Sequence, residues 1–384
     1  MSLLRDPLPP RGRRRERPPL KPNAQREAHA PGSPGAHTAG DRALVIAPSW
    51  VGDAILSEPL IAQLRRSGMT APVDVVAPPW CGPVYARMRG IGRVIDSPAG
   101  HGRFALAARR RLGLELREAR YTHGYVLPNT WKSALVPFFA RIPNRIGFVG
   151  EARYGLLTDA RSLDVRAMPQ LVIRYASLAA PRGAPPPAAM PPVLVPDTAN
   201  LAAALEALGV TRRSRIAILC PGAEFGPAKR WPVEHFAALA KLLAGDGYAL
   251  WIVGSPNDRP VASALLAALG SDNPGVADLT GRTDLGTAID LMAAASLVVS
   301  NDSGLMHAAA AVGARLVALF GSSSPEYTPP LSPTAKIARI EIECSPCFKR
   351  ECPLGHFRCM RELTPQLVYN LARSDDAAES AAAR

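Results

Sequence analysis

The chain has 384 residues, of which 47% are hydrophobic and 20% are charged. This length suits two domains of roughly 150 residues each. The sequence contains neither the roughly 18 consecutive apolar residues of a membrane span nor the apolar core of a signal peptide, so we expect a cytosolic protein with reduced cysteines. The net charge of +13 favours an anionic partner such as a nucleotide, a phosphorylated lipid, a membrane surface or nucleic acid, although solubility alone would also explain it.

The first 40 residues differ in composition from the rest of the chain. Residues 1–40 hold eight Lys or Arg, three Asp or Glu and eight Pro, and they lack apolar periodicity. This composition is typical of a disordered basic tail. The remaining chain keeps a positive balance.

Residues 41–185 alternate short apolar runs with helix-length amphipathic stretches, which predicts a parallel sheet covered on both faces. Pro59 must either kink or restart the helix predicted within AILSEPLIAQLRR (54–66). The predicted strands are ALVIA (43–47), VDVVA (73–77), GRVID (92–96), HGYVL (123–127) and RIGFV (145–149).

A second domain with the same alternation is predicted at residues 213–363, after a linker region at 186–212 that follows a proline-rich stretch. Residues 364–384 should form a C-terminal helix and a tail, with Thr364 as N-cap and Pro365 at the first helical position. The fold class is therefore α/β. The predicted strands are RIAILC (215–220), YALWIVG (248–254), GVADL (275–279), SLVVS (296–300) and RLVALFG (315–321).

The first candidate site is PSWVGD (48–53), directly after the first predicted strand. Ligands of open parallel sheets bind beyond the carboxyl ends of the strands, so this polar loop is well placed. Gly52 permits close approach to the backbone. Asp53 is either a catalytic base in a cleft or simply a cap of the following helix.

The second candidate site is CPGAEFGPAKRWPVEHF (220–236). Its glycines and prolines hold a loop open, and Lys229 and Arg230 precede a helix that should begin near Pro232. Cations beside a helix N-terminus indicate an anion site, most naturally for a diphosphate. A solvated basic turn is the alternative, which the neighbouring Trp231 makes less favourable.

The third candidate site lies in LVVSNDSGLMHAAAAVG (297–313), where a strand turns into a helix. Ser303 is placed to cap that helix and Gly304 leaves its first turn unshielded. His307 lies one turn on, and its ring should lean back toward Asp302 because helical side chains tilt toward the N-terminus. These groups form either a ligand site or a cap beside a buried core histidine.

Together these segments resemble the ADP-heptose:lipopolysaccharide heptosyltransferases, glycosyltransferase family 9. The residues that carry the resemblance are PSWVGD (48–53), CPGAEFGPAKRWP (220–232), NDSGLMHAAAA (301–311) and FGSSSPEYTPP (320–330). The likeness extends from about Arg42 to Arg373. The long second motif is specific, whereas NDSG alone would be weak.

The resemblance implies a GT-B fold, in which two Rossmann-like domains with parallel sheets face each other. The acceptor would bind the N-terminal domain and the nucleotide-sugar the C-terminal one, and the C-terminal helix would cross back to the first domain. It also implies an inverting transfer that requires no metal and no cofactor. The sequence agrees, since it contains no Asp-x-Asp to hold a Mg²⁺–diphosphate.

The resemblance also implies roles for individual residues. Asp53 would deprotonate the acceptor hydroxyl. The donor-binding residues would be Glu224, Lys229, Arg230, Asp302, Ser303, Gly304, Leu305 and His307. The acceptor-binding residues would be Ser49, Gly52, Lys132 and Arg145. Lys132, Arg141 and Arg145 are the cations that suit an anionic acceptor, although ordinary surface charge explains them equally well.

The implied reaction moves L-glycero-D-manno-heptose from ADP-heptose to the first heptose of a Kdo–lipid A inner core. That acceptor lies at the inner face of the cytoplasmic membrane, so we expect peripheral membrane contact, favoured by LVPFF (135–139). We expect a monomer without a nucleic-acid partner. Transfer to the other inner-core position by heptosyltransferase I, transfer of a different sugar, and a GT-B epimerase share this outline.

A last feature is the segment ECSPCFKRECPLGHFRCM (343–360). Cys344, Cys347, Cys352 and Cys359 have the spacing C-x₂-C-x₄-C-x₆-C, with His356 among them. Four thiols so close could bind a structural zinc or form disulfides. The spacing also resembles a zinc knuckle, which makes nucleic-acid binding a rival function, but the segment lacks aromatic and basic interleaving and two βα domains would be left without a role.

Overall fold

The computed structural model describes residues 37–382 except 39, 99–103, 212–214 and 271–274, with side chains to residue 374. The predicted tail, residues 1–40, therefore lies outside the described residues apart from 37, 38 and 40. None of the described helices is long and apolar enough to cross a membrane.

The first half of the chain forms a six-stranded sheet in the order β3-β2-β1-β4-β5-β6, and every pair is parallel. Its strands are β1 (Ala43–Ile46), β2 (Val73–Ala77), β3 (Ile91–Asp96), β4 (His123–Val126), β5 (Asn144–Phe148) and β6 (Asp159–Arg161). Its α-helices are α1 (Val51–Leu56), α2 (Glu58–Arg66), α3 (Gly82–Ala86), α4 (Leu106–Glu115), α5 (Leu135–Phe139) and α6 (Leu171–Ser177).

The second half forms another parallel six-stranded sheet, in the order β12-β11-β10-β7-β8-β9. Its strands are β7 (Ile216–Cys220), β8 (Ala249–Ile252), β9 (Val276–Asp278), β10 (Leu297–Asn301), β11 (Leu316–Leu319) and β12 (Ala335–Ala338). The helices are α7 (Thr198–Leu208), α8 (Val233–Gly245), α9 (Arg259–Leu269), α10 (Leu285–Ala294), α11 (Gly304–Ala311), α12 (Arg358–Arg361) and α13 (Pro365–Ala382).

Both sheets have the same topology, and it explains where ligands can bind. In each, the strand order reverses beside the first strand of the half, between β1 and β4 and between β7 and β10. Crevices open at such switch points, beyond the carboxyl ends of the strands. The three candidate motifs follow β1, β7 and β10, so the fold brings each of them to a switch point.

The apolar runs form the central strands as predicted, because strands buried on both faces carry continuous apolar sequence. β1, β2, β7 and β10 are buried along their whole length. Pro59 restarts the helix, since α1 ends at Leu56 and Pro59 is the second residue of α2. The two edge strands β6 and β12 were not predicted.

The C-terminal helix begins as predicted, with Thr364 Oγ1 accepting from the Leu367 amide at 3.3 Å. Its main contacts, however, are with α8 and with β11 and β12 of the second domain. Tyr369 donates to Asp246 at the end of α8 at 2.8 Å. The expected crossing back to the first domain therefore differs from the observed packing, because the buried face of α13, with Val368 and Ala372, completes the core of the second sheet.

The two halves share one continuous apolar core. Buried residues on one face of each sheet pack with α1, α2 and α11 into a single cluster, and a separate cluster covers the other face of each sheet. The predicted linker region, 186–212, contains α7. The stretch before α7 is held between the halves, where Leu194 donates to the carbonyl of Ala311 and Val195 to that of Arg87.

A buried ion pair also joins the halves. Arg87, at the end of α3, donates to both carboxylate oxygens of Asp290 in α10, at 3.0 and 2.5 Å. Asp290 is fully buried. The amide of Asp197 and the side chain of Asn200 also donate to this carboxylate. The donors to Asp290 therefore come both from the first half, through Arg87, and from the stretch that leads into the second half.

Candidate active site

A cleft of about 450 Å³ opens at the carboxyl ends of the first sheet. The loops after β1, β2 and β4 form most of its wall, and Tyr327 from the second domain closes one side. Its polar lining is Ser49, Asp53, Ser97, Arg109, Asn129, Thr130, Lys132, Ser133, Arg174, Tyr175 and Tyr327.

Asp53 lies in the first turn of α1 and faces this cleft. Burial raises the pKa of its carboxyl to about 6, against the lowering effect of Lys229 from the second domain. A carboxyl whose pKa is raised toward neutrality can accept a proton from a substrate and remain ionised at cellular pH. The alternative of a helix cap is less well supported, since the N-cap position of α1 is Trp50.

The first turns of α1 and α11 meet across the domain boundary at two glycines. A Cβ placed on Gly52 would lie 2.8 Å from Cδ2 of His307, and one placed on Gly304 would lie 2.8 Å from Cβ of Val51. Real Cβ atoms do not approach so closely. Both positions therefore require glycine for the helices to meet at this distance.

Lys229 and Asp302 form an ion pair in the second domain, with Nζ 2.5 Å from Oδ2. Ser323, in the loop after β11, also donates to that oxygen. Lys229 lies 5.0 Å from the centre of the Phe225 ring. The amine is thus paired with Asp302, and its charge also acts on the carboxyl of Asp53.

Asn301 holds the loops of the second and third motifs together. Its side chain accepts from the amide of Trp231 at 3.1 Å and donates to the carbonyl of Pro221 at 2.8 Å. Trp231 is buried, and its indole N–H donates to the carbonyl of Leu363 at 2.8 Å. The tryptophan beside Lys229 is therefore an anchor of the loop, not part of a solvated turn.

His307 is buried against Gly52, and burial lowers its pKa to about 4. It is therefore neutral at pH 7. Ser303 occupies the N-cap position of α11, but its hydroxyl lies 3.4 Å from that of Ser300 rather than bonding to the helix amides. The predicted side-chain cap is therefore wrong.

The remaining donor candidates lie at the rim. Arg230 and Glu224 are exposed, and Arg230 makes a 3.4 Å contact with the carbonyl of Ala223. Leu305 is half-buried in the first turn of α11. The structure thus brings Asp53, Lys229, Asp302 and His307 together and leaves Arg230 and Glu224 around them.

The acceptor candidates divide into two groups. Ser49 and Lys132 line the cleft. Arg145 lies at the start of β5, at the opposite edge of the sheet, where its guanidinium donates to the carbonyls of Leu156 and Ile142. Arg145 therefore does not line the cleft, and Arg141, just before β5, is at the same edge as Arg145.

Two cleft arginines were missed by sequence reasoning. Arg109 reaches the cleft from α4, and Arg174 reaches it from α6, where its guanidinium lies 4.9 Å from the centre of the Tyr327 ring. Tyr327 belongs to the motif FGSSSPEYTPP, so the sequence offered a signal for it. Arg109 is one of three consecutive arginines that look like a solvated helix face. Only tertiary packing determines that Arg109 is the one that lines the cleft.

Among the described residues, two sets of side chains carry metal-ligand atoms, and only the first brings three such atoms within 4.8 Å of one another. The ligand atoms of His37, Asp41 and His123 lie within 4.8 Å of one another, at the amino end of β4 and hence at the edge of the sheet away from the cleft. The second group is the four cysteines of residues 344–359, which surround one cavity with His356. Neither group faces Asp53.

The sequence and structure were compared with known proteins. The family model described as glycosyltransferase family 9 (heptosyltransferase) matches residues 109–358. Lipopolysaccharide heptosyltransferase 2 of Salmonella typhimurium is 44% identical over 335 residues, which is 85% of this chain and 96% of that protein. Lipooligosaccharide heptosyltransferase 2 of Haemophilus influenzae is also 44% identical over 335 residues, with the same coverage.

The structure of Escherichia coli ADP-heptose lipopolysaccharide heptosyltransferase II superposes with a TM-score of 0.80 at 40% sequence identity, covering 88% of this chain and 99% of that one. The match extends over both sheets and confirms the predicted GT-B fold. It also confirms the resemblance drawn from the three motifs. The chain belongs to glycosyltransferase family 9, the heptosyltransferases, and is a glycosyltransferase.

Proposed function

We propose that this enzyme transfers L-glycero-D-manno-heptose from ADP-heptose to the first heptose of the lipopolysaccharide inner core, with inversion at the anomeric carbon. The observation that carries the proposal is the pairing of Asp53, with a pKa of about 6, and the Lys229–Asp302 ion pair across the domain junction. The relatives with which the chain shares 44% identity are heptosyltransferases 2, which supports this acceptor position over that of heptosyltransferase I.

Asp53 acts as the general base. An acceptor hydroxyl in the cleft gives its proton to this carboxylate while its oxygen bonds to the anomeric carbon from the face opposite the leaving group. The bond from that carbon to the diphosphate oxygen breaks, and ADP leaves with the bonding electrons. The sugar becomes oxocarbenium-like on the way, so charge stabilisation at the leaving group governs the rate.

Lys229 and the first turn of α11 stabilise the leaving diphosphate. The amine supplies a full positive charge, and the amides beginning at Gly304 supply partial charges without a side chain in the way. Asp302 holds Lys229 in position at 2.5 Å, while neutral His307 packs behind Gly52 and contacts the donor from the α11 side. Arg230 and Glu224 bind the outer part of the donor.

Lys132, Arg109 and Arg174 bind the anionic acceptor. All three line the cleft around Asp53, and phosphate or carboxylate groups of a Kdo–lipid A core are ligands for such cations. Ser49 and Gly52 lie at the base of the same wall. Together they would bring the accepting hydroxyl of the first heptose to Asp53.

Exposed aromatic side chains of the first domain mediate membrane contact. Trp50, Trp80, Phe104 and Trp131 are 38–48% exposed, and the rings of Phe104 and Trp131 are 5.9 Å apart. Aromatic rings of this kind partition to lipid headgroup regions. In LVPFF, by contrast, Leu135, Val136 and Pro137 are buried, so that segment contributes mainly to the core.

The acceptor assignment is tested by transfer from ADP-heptose to defined cores. We expect product with a Kdo₂–lipid A that carries one heptose, and none with Kdo₂–lipid A itself, as judged by mass spectrometry of the glycolipid. Transfer to the core without heptose would instead assign the heptosyltransferase I position. Turnover of the nucleotide-sugar to an epimer without acceptor would contradict a transferase role.

The membrane contact is tested separately with vesicles of anionic phospholipid. We expect Phe104→Ser to weaken co-sedimentation with these vesicles. Ile337→Ser is the control, because Ile337 is 40% exposed on an edge strand of the second domain. Equal binding of both variants and the unmodified protein would exclude the aromatic group as the contact.

A further inference from the structure

Four of the six cysteines lie in the segment 344–359, which follows the second sheet and whose one α-helix, α12, is a single short turn. The other two, Cys81 and Cys220, are buried beside the sheets. The four sulfurs and His356 line one cavity of about 20 Å³, together with Ala228 and Ser322. A cavity of this size has room for one water-sized occupant.

The chain around Cys352 is folded so that backbone amides face its sulfur. The amide of Phe357 donates to Cys352 Sγ at 3.4 Å, and Gly355 has φ +67°, which lets the intervening residues turn back. Amide donors directed at sulfur stabilise the thiolate form, which is the form that binds metals.

His356 lies between two of the sulfurs. Its Nδ1 accepts from the amide of Arg358 at 3.0 Å, so the neutral ring carries its hydrogen on Nε2. Nε2 is 4.0 Å from Cys344 Sγ, and Nδ1 is 4.0 Å from Cys352 Sγ. This tautomer directs an N–H donor at the Cys344 sulfur, as an outer partner of a metal-bound thiolate does.

The segment rests on the loop that carries Lys229. The amide of Ala228 donates to the carbonyl of Arg350 at 3.0 Å, and a Cβ on Gly226 would lie 2.5 Å from that carbonyl oxygen. The guanidinium of Arg350 lies 5.3 Å from the centre of the Phe225 ring, whose other cation neighbour is Lys229. The cysteine segment therefore packs against the loop of the second motif, which carries Lys229.

A second set of contacts joins the segment to the loop after β11. The amide of Phe348 donates to the carbonyl of Ser322 at 2.7 Å, and the hydroxyl of Ser345 donates to the carbonyl of Gly321 at 2.7 Å. Ser323, which holds Asp302, is the next residue of that loop. The cysteines thus lie behind both partners of the Lys229–Asp302 pair.

We propose that Cys344, Cys347, Cys352 and Cys359 bind one thiolate-preferring divalent ion of the zinc class, with Nε2–H of His356 donating to the sulfur of Cys344. Each thiol gives its proton to solvent as it binds, so no oxidant is needed. Four protein ligands leave no open position, which makes the site structural. Its effect on the reaction is to hold the loops of Lys229 and Asp302 in place, and only this effect rests on the function proposed above.

The site is tested by the metal content of full-length protein purified under reducing conditions without chelator. We expect about one ion per chain, and at least a tenfold loss of metal in Cys352→Ser and in Cys359→Ser. Cys220→Ala is the matched control, since it removes a thiol outside the segment and should keep the full amount. Absence of metal after purification and after incubation with Zn²⁺ would overturn the site.

Cysteine variants can fail to fold, so the unmodified protein supplies an independent measurement. Chelator treatment should raise the number of thiols that react with a maleimide, and Co²⁺ added to the stripped protein should produce sulfur-to-metal charge-transfer absorption. Detection of a disulfide among the four cysteines in acid-quenched protein would also overturn the site. If removal of the metal leaves ADP affinity unchanged, the metal does not hold the loops of Lys229 and Asp302 in place. The existence of the metal site is decided separately, by the measured metal content.

Discussion

At the scale of single residues, the reaction depends on the environment of Asp53. Replacement by Asn keeps the shape of the side chain and removes the proton acceptor. We expect Asp53→Asn to lower kcat by about 10²–10⁴, the usual contribution of a general base, while ADP binding stays nearly intact by calorimetry. Asp96→Asn, an exposed carboxyl at the end of β3, is the control, and a variant at position 53 that retains most activity would contradict the assignment.

The same carboxyl makes activity and stability depend on pH in opposite directions. Because the pKa of Asp53 is about 6 in the folded protein and 3.8 as a reference value, the folded state keeps a proton that the unfolded chain has released. The free energy of unfolding therefore falls as the pH rises between these values, by at most about 3 kcal/mol. kcat/KM should instead fall as the pH drops below about 6, where the base becomes protonated.

Asp53→Asn separates these two effects, since Asn does not titrate. We expect the variant to have a higher Tm than the unmodified enzyme at pH 7.5 and nearly the same Tm at pH 4, measured by calorimetry in one buffer series. A constant Tm difference across this range would mean that burial of Asp53 does not perturb its ionisation.

Lys229 is the second residue whose removal has a defined consequence. A charge-assisted contact contributes about 1.5–3 kcal/mol, so Lys229→Ala should weaken ADP binding by roughly 10- to 150-fold in calorimetry. Lys241→Ala, on the exposed face of α8, is the matched control. Unchanged ADP affinity at position 229 would rule out a diphosphate contact and leave Lys229 as the partner of Asp302 alone.

The residues that sequence reasoning found and those it missed differ in how they reach the site. Asp53, Lys229 and Asp302 lie in the loop or first helical turn after a strand, so the rule that ligands bind at carboxyl ends of parallel strands locates them. Arg109 and Arg174 come from helices whose orientation depends on packing. Arg145 lies outside the cleft because it is near the beginning of β5, and the beginning of a parallel strand lies at the far edge of the sheet.

At the scale of elements, α1 and α11 pack closely against each other at the domain junction. A methyl group on Gly52 would overlap the His307 ring and separate the two helices. We expect Gly52→Ala to lower both Tm and kcat, as measured by calorimetry and by heptose transfer. Close packing leaves few neighbours free to move.

Gly245→Ala is the matched control for this substitution. Gly245 ends α8 in open space with an ordinary backbone conformation, so alanine there should leave activity unchanged and stabilise the helix by up to about 1 kcal/mol. If Gly52→Ala behaved like Gly245→Ala, the helices would not be in contact in solution.

Most elements were predictable from the sequence because strands buried on both faces carry continuous apolar runs. β6 and β12 were not, since Asp159–Arg161 and Ala335–Ala338 are short, only partly buried and each interrupted by charged residues. They form strands because each pairs with the outer strand beside it, β6 with β5 and β12 with β11. The packing of α13 was also beyond sequence reasoning, because an amphipathic pattern shows that a face is buried and not which domain buries it.

At the scale of the whole molecule, the Arg87–Asp290 pair connects the two halves. Removing one partner of a buried ion pair leaves the other without compensation, at a cost of about 3–5 kcal/mol. We expect Arg87→Met to lower the free energy of unfolding by that amount in denaturant titrations. Arg89→Met, an exposed arginine two residues on, is the control, and equal stability of the two variants would mean that the pair is exposed to water.

The two glycines of the domain junction also bear on inhibition. A compound bound beside the contact between α1 and α11 cannot be displaced by a side chain added at Gly52 or Gly304, because that side chain would first push the two helices apart. The enzyme could then exclude the compound only by impairing itself. Single substitutions that confer resistance should therefore arise at exposed residues such as Glu224 and Arg230. Compounds directed at the contact between α1 and α11 should retain their effect longer.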